Sequence, residues 1–231
     1  HTMIDNLFVF DFDDTLAETT ALIGVAREHN EKNDDLFRSW LVEHDLFPVN
    51  EKVSNELTYF YLTSEDFAKY QKHAAENISE NIIDHFDFTG TASVDVSTTK
   101  ENKDVINILK KAEAAPKSRV IVVTARSNSQ FDSPFGRVEP TNRDDIAKFL
   151  QNAGVGVGGG QIFPVGSSNP QAKVNIIKKY IDSLGPRTVY FYDDNNLNVE
   201  AVHQLCDVYD GVPNIVTYKI VNGKPVLNGE C

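Results

Sequence analysis

Asp11-Phe12-Asp13-Asp14-Thr15-Leu16 sets two carboxylates two residues apart, directly after the apolar run Leu7-Phe8-Val9-Phe10. Side chains at i and i+2 of an extended chain point the same way, so Asp11 and Asp13 can face one site. Carboxylates that close repel each other and push one pKa upward. A divalent cation would relieve the repulsion, leaving one carboxylate ionised as a nucleophile and the other able to carry a proton. An acidic turn after a strand has the same local sequence.

Three more groups stand near similar runs. Thr124-Ala125-Arg126 follows Val120-Ile121-Val122-Val123. A hydroxyl at a strand end can donate to an anionic oxygen, and Arg126 is a candidate substrate-binding residue. Lys173 lies near the start of a helix predicted from Asn169-Pro170, where its ammonium could neutralise developing charge. Asp193-Asp194-Asn195-Asn196 follows Thr188-Val189-Tyr190-Phe191-Tyr192. Magnesium is hard, prefers oxygen ligands and usually takes only one or two carboxylates. Taken singly, these groups also fit an ordinary strand-to-loop threonine, a solvated lysine and a turn with a helix cap.

The elements that must position them are legible as periodicity. Continuous apolar runs predict strands buried on both faces; weaker ones are Gln161–Val165 and Asn214–Tyr218. Helices are predicted between them. One follows a Thr98/Glu101 capping box and a second a Thr141/Asp144 box, the latter ending at Gly154. A third is capped by Asn169, starts at Pro170 and stops at Gly185-Pro186; a fourth carries Val199, Val202 and Leu205. Strands alternating with helices imply an α/β fold, a parallel sheet covered by helices on both faces. Ligands bind such sheets beyond the carboxyl ends of the strands, at the topological switch point.

Residues 17–97 break the rhythm. Leu36, Phe37, Trp40 and Leu41 recur at helical spacing, and a Thr63/Asp66 box precedes Phe67, Tyr70 and Ala74. The expectation is a mostly helical insertion, with most aromatics, including Trp40, Tyr59, Phe60 and Tyr61, in its own core. Gly154-Val155-Gly156-Val157-Gly158-Gly159 fits GxGxxG, but follows a predicted helix and precedes a strand, the reverse of a dinucleotide fingerprint.

In this order the four groups resemble the motifs of the haloacid dehalogenase-like (HAD) superfamily. Its DxDx[TV] motif is matched by Asp11, Asp13 and Thr15, its strand-end Ser or Thr by Thr124, its helical Lys by Lys173, and its acidic pair by Asp193 and Asp194. Asp14 stands where the family usually has Gly. The resemblance implies a Rossmann-like HAD core at 3–16 and 98–231 and a cap insertion at 17–97. It implies a phosphatase in which Asp11 attacks phosphorus, Asp13 acts as acid and base, and Thr124 and Lys173 hold the phosphoryl oxygens. Magnesium would be held by Asp11, Asp193 and Asp194, with the backbone carbonyl of Asp13. The expected substrate is a small phosphorylated metabolite or nucleotide. A nucleic-acid 3′-end phosphatase, gripping its substrate with Arg126, Arg137 and Arg143, is the alternative; a non-catalytic binding protein on the same scaffold is a third reading.

Composition bounds these readings. A net charge of −12 disfavours an extended nucleic-acid partner. No apolar run approaches the ~20 residues of a membrane span. His1-Thr2 reads as a remnant ahead of Met3, and no secretory segment is expected, so the Asn77-Ile78-Ser79 sequon reads as chance. Two cysteines without a CxxC pair give no zinc or dithiol signature, and a reducing cytoplasm is the default expectation.

Overall fold

A computed structural model of the chain describes residues 3–29, 34–76 and 82–231. His1-Thr2 and the Asn77-Ile78-Ser79 triplet lie outside the described residues. In chain order the elements are β1 (Asn6–Phe10), β2 (Leu22–Glu28), α1 (Asp34–Glu43), β3 (Asn50–Ser54), β4 (Leu57–Thr63), α2 (Ser64–Glu76) and β5 (Ile83–Asp87). There follow α3 (Lys103–Ala114), β6 (Ser118–Thr124), β7 (Phe131–Ser133), β8 (Gly136–Val138), α4 (Asn142–Asn152) and β9 (Ile162–Pro164). The last are α5 (Pro170–Leu184), β10 (Thr188–Asp193), α6 (Asn196–His203), β11 (Asn214–Val221) and β12 (Lys224–Glu230). Among the described residues no helix is long and apolar enough to cross a membrane.

Two compact units result: His1–Thr19 with Val94–Asn128 and Thr141–Cys231, and Thr20–Ser93 with Ser129–Pro140. The segment Ser129–Pro140, which the sequence reading left within 98–231, thus groups with the second unit.

The first unit is mixed α/β, built on a six-stranded sheet of order β12-β11-β10-β1-β6-β9. Its strands pair parallel except β12, which is antiparallel to β11. The apolar runs are continuous because alternate residues serve two cores. Leu7 and Val9 enter one with Val174, Ile177 and Ile181 of α5; Phe10 enters the other with Val105 and Leu109 of α3 and Ile146 of α4. Burying each such side chain contributes roughly 1.5–3 kcal/mol. Chain order makes β1 the switch point: β6 and β9 lie on one side of it, β10 and β11 on the other. Phe10 pairs in register with Tyr192 and with Val122, so Asp11, Asp193 and Thr124 emerge from three adjacent strands at the same edge.

Local signals differ in how they are met. Asn169 caps α5 as predicted, accepting from Gln171 N, and Gly185 ends it at φ +53°. The Thr98/Glu101 box does not start α3. That helix begins at Lys103, because Asn102 is clipped to the loop after β1 by N→Leu16 O and Nδ2→Thr15 O bonds, both 2.8 Å. Thr141 precedes α4, but its hydroxyl donates to Asp145 rather than capping a backbone amide. The Gly154–Gly159 stretch joins α4 to the turn before β9, the predicted helix-to-strand loop. Cys206 and Cys231 form a disulfide that no spacing rule had indicated.

The second unit corrects the expectation of a mostly helical insertion. It holds a four-stranded antiparallel sheet, β3-β4-β2-β5, with only two α-helices among its described residues. Leu57–Leu62 is buried on both sides, so its aromatic run carries no period that distinguishes strand from helix. Phe60 and Leu62 face Phe37, Leu41, Phe67 and Tyr70 of α1 and α2. Tyr59 and Tyr61 face the other way with Ala26 and Leu57. There the β7–β8 hairpin sits, with the Phe135 ring 5.9 Å from that of Tyr59 and the Ser54 hydroxyl donating to Pro134 O at 2.6 Å.

Candidate active site

The first unit brings its candidate residues together at the switch point. Asp11 N donates to Tyr192 O at 2.9 Å, extending the β1–β10 pairing by one residue and fixing where the Asp11 side chain leaves the sheet. Its carboxylate is nearly enclosed. Oδ2 accepts from the buried Thr15 hydroxyl at 3.0 Å, and Oδ1 from Lys173 Nζ at 2.8 Å. Thr15, a motif residue given no role from sequence, orients Asp11.

Lys173 is 2% exposed despite its charge, because α5 delivers it from its first turn onto the sheet edge. Its ammonium reaches Asp193 Oδ2 at 2.9 Å as well as Asp11. Burial alone would lower its pKa, but the two carboxylates outweigh burial and hold it above the ordinary lysine value. Asp193 also accepts from Asn195 N at 2.8 Å and Asn198 Nδ2 at 3.0 Å. Asn198 escaped the sequence reading; the one available signal is a buried amide inside the apolar stripe of α6.

Asp194 lies beside this cluster, and burial followed by the nearby Asp11 carboxylate raises its pKa far above the usual range. Burial and Asp11 raise Asp193 too, against the pull of Lys173. Asp11, Asp193 and Asp194 present carboxylate oxygens within 4.8 Å of one another. Hard oxygen donors crowded with negative charge fit a divalent cation. Asp13 stands apart from them. Rather than joining the carboxylate cluster, its side chain is gripped by Arg126 through Nε→Oδ2 at 2.8 Å and Nη2→Oδ1 at 2.7 Å.

Arg126 is therefore engaged at Asp13, and it also donates to Asn142 Oδ1 at 3.3 Å. Asn142, 0% exposed at the start of α4, anchors this corner by donating to Ser127 O at 2.7 Å; sequence reasoning missed it too. Thr124, 1% exposed at the end of β6, accepts from Arg126 N at 3.1 Å. The other arginines of the end-phosphatase alternative have partners of their own. Arg143 Nε donates to Ile162 O, and Arg137, in the second unit, bonds Gln130 and Asp132.

The arrangement combines a buried, oriented carboxylate, a shared ammonium, the strand-end hydroxyl of Thr124 and a group of carboxylate oxygens that could hold a cation. That set can carry out nucleophilic attack on an anionic centre while compensating its charge. Comparison with protein-family models, curated proteins and solved structures returns no match.

Proposed function

We propose that this chain is a HAD-like, magnesium-dependent phosphomonoester hydrolase acting through an aspartyl-phosphate on a small phosphorylated metabolite or nucleotide. The observation that carries the reading is Lys173 Nζ bridging Asp11 and Asp193, residues from three separate motifs meeting at the strand edge that Thr124 shares. The mixed α/β first unit supports a Rossmann-like HAD core. The unit inserted after β1 has the sequence position of a cap.

Asp11, held by Thr15 and Lys173, attacks phosphorus, forming an O–P bond as the ester oxygen leaves. Asp13 supplies the proton to that oxygen, then takes one from the water that cleaves the acyl phosphate and restores Asp11. Both steps require Asp13 to leave Arg126, and the substrate's phosphoryl oxygens are the natural anion to take its place on the guanidinium. Thr124 and Lys173 hold the remaining oxygens. Magnesium, when bound by Asp11, Asp193 and Asp194, supplies neutralisation of phosphoryl charge.

The test is turnover of a generic phosphomonoester, then of sugar phosphates, mononucleotides and phosphorylated oligonucleotide ends, with and without magnesium. Asp11→Asn keeps shape but removes the nucleophile, so it should fold and lose turnover. A folded Asp11→Asn protein with substantial wild-type activity refutes covalent catalysis; strong preference for oligonucleotide ends favours end repair. No magnesium-dependent hydrolysis of any of these leaves a binding protein as the reading.

A further inference from the structure

The second unit contains a cavity of about 420 Å³, formed wholly by its own residues. That is within the size range of small-molecule sites, roughly 300–1,000 Å³. It lies on the face of the sheet away from α1 and α2, between Tyr61 and Asp87 of the sheet, Lys52 of β3 and the β7–β8 hairpin.

Two cationic side chains line it, and both are positioned. The Lys52 ammonium sits 5.3 Å from the Tyr61 ring centre and 6.0 Å from that of Phe135. Among the described residues no carboxylate lies within 4.0 Å of it. Cation–π contact thus directs this lysine, and no ion pair among the described residues holds its ammonium. Arg137 is aimed from β8 by Gln130 at 3.0 Å and by Asp132 at 3.3 Å.

Aromatic surface accompanies the charge. Phe135 is 48% exposed, yet its backbone is tied by Phe135 N→Ser133 Oγ and by the Ser54 hydroxyl on Pro134 O. Gly136 turns the hairpin at φ +121°, where a Cβ would meet no atom within 4 Å; conformation, not space, selects glycine. Asp87, a negative charge on the lining, is saturated by donors: the Tyr61 hydroxyl at 2.5 Å, Thr89 N at 3.0 Å and Thr89 Oγ1 at 2.5 Å. With its hydroxyl committed, Tyr61 has only its ring to offer a ligand.

We infer that the second unit carries a ligand site of its own for a small anion bearing a planar ring. Lys52 and Arg137 take the anionic group, and Tyr61 and Phe135 lie against the ring. A mononucleotide belongs to this class, and so does an aryl phosphate or carboxylate. The inference does not rest on hydrolysis in the first unit.

The experiment uses the full chain carrying Asp11→Asn, in magnesium-free buffer, so turnover plays no part. Adenosine 5′-monophosphate, inorganic phosphate and adenosine are titrated separately, with binding followed by calorimetry and located by assigned NMR resonances. The nucleotide should shift Lys52, Tyr61, Phe135 and Arg137. It should bind about tenfold or more tightly than either fragment. Lys52→Gln with Arg137→Gln, both on the surface, should weaken it about tenfold or more. Phe135→Ala should weaken it severalfold. Absence of shifts at these residues at millimolar nucleotide, or an affinity indifferent to the double variant, overturns the site. Phosphate binding as tightly as the nucleotide overturns the ring's role.

Discussion

Lys173 Nζ lies 2.8 Å from Asp11 and 2.9 Å from Asp193, partners 162 and 20 residues away in sequence. All three groups are buried, so the lone ammonium offsets two carboxylates out of reach of bulk water. Removing one member of a buried charge cluster leaves the others uncompensated, at a cost of about 3–5 kcal/mol. Lys173→Met should therefore lower the melting temperature sharply in metal-free buffer. Magnesium should restore part of the loss, since it compensates the same carboxylates. A variant that melts with the wild type in both buffers would remove the ion cluster from any account of stability.

Asp194 is the cleaner probe of the proposed cation site. Asp193 holds Lys173, Asn195 and Asn198, so replacing it disturbs the fold together with the carboxylate cluster. Asp194→Asn removes one crowded carboxylate and should leave the metal-free protein as stable as the wild type or slightly more so. The wild type should gain about 2–3 kcal/mol at magnesium concentrations near a hundredfold above Kd. Most of that gain should vanish in Asp194→Asn. Equal magnesium-induced shifts in the two proteins would place the cation elsewhere.

Asp14 adopts φ +58°, the left-handed region, and its carboxylate accepts from Thr19 N at 3.0 Å. Asp tolerates this conformation because its short polar side chain bonds locally. Asp14→Gly should be close to neutral, since glycine meets no steric penalty at this positive φ, which offsets the lost hydrogen bond. Asp14→Val, β-branched, should cost about 1–2 kcal/mol. Denaturant titration of the two variants checks the ordering; equal stabilities would contradict it.

The Cys206–Cys231 disulfide spans 25 residues and ties the chain end to the segment after α6. Closing a loop of that length in the unfolded chain is worth about 3 kcal/mol. Reductant or Cys231→Ser should lower stability by up to that amount, with little effect on the distant Asp11 cluster. An unchanged melt under reductant, with thiols confirmed by labelling, would show that the link adds nothing.

Sequence alone determined the parts of this protein that depend on neighbours along the chain. Leu7–Phe10, Val120–Val123 and Thr188–Tyr192 announce strands with apolar neighbours on both faces, and each ends at a polar residue. Buried parallel strands must be apolar throughout, so their ends stand out as chemistry. The Asn169 cap and the Gly185 stop are legible for the same local reason.

Tertiary structure decided what depends on residues far apart. That Asp13 turns to Arg126 rather than toward Asp193, and that Lys173 is shared between two carboxylates, follows from how the strands are ordered in the sheet. The role of Asn142 is set in the same way, by Arg126, sixteen residues away, which packing brings within hydrogen-bond reach. In the second unit β3 and β4 form a local hairpin, but β2 pairs with β4 and with β5 across long separations, and the aromatic run of β4 fits helix and strand alike. The partners of β2 lie far away in sequence, so the pattern within that strand cannot name them; only the folded sheet can.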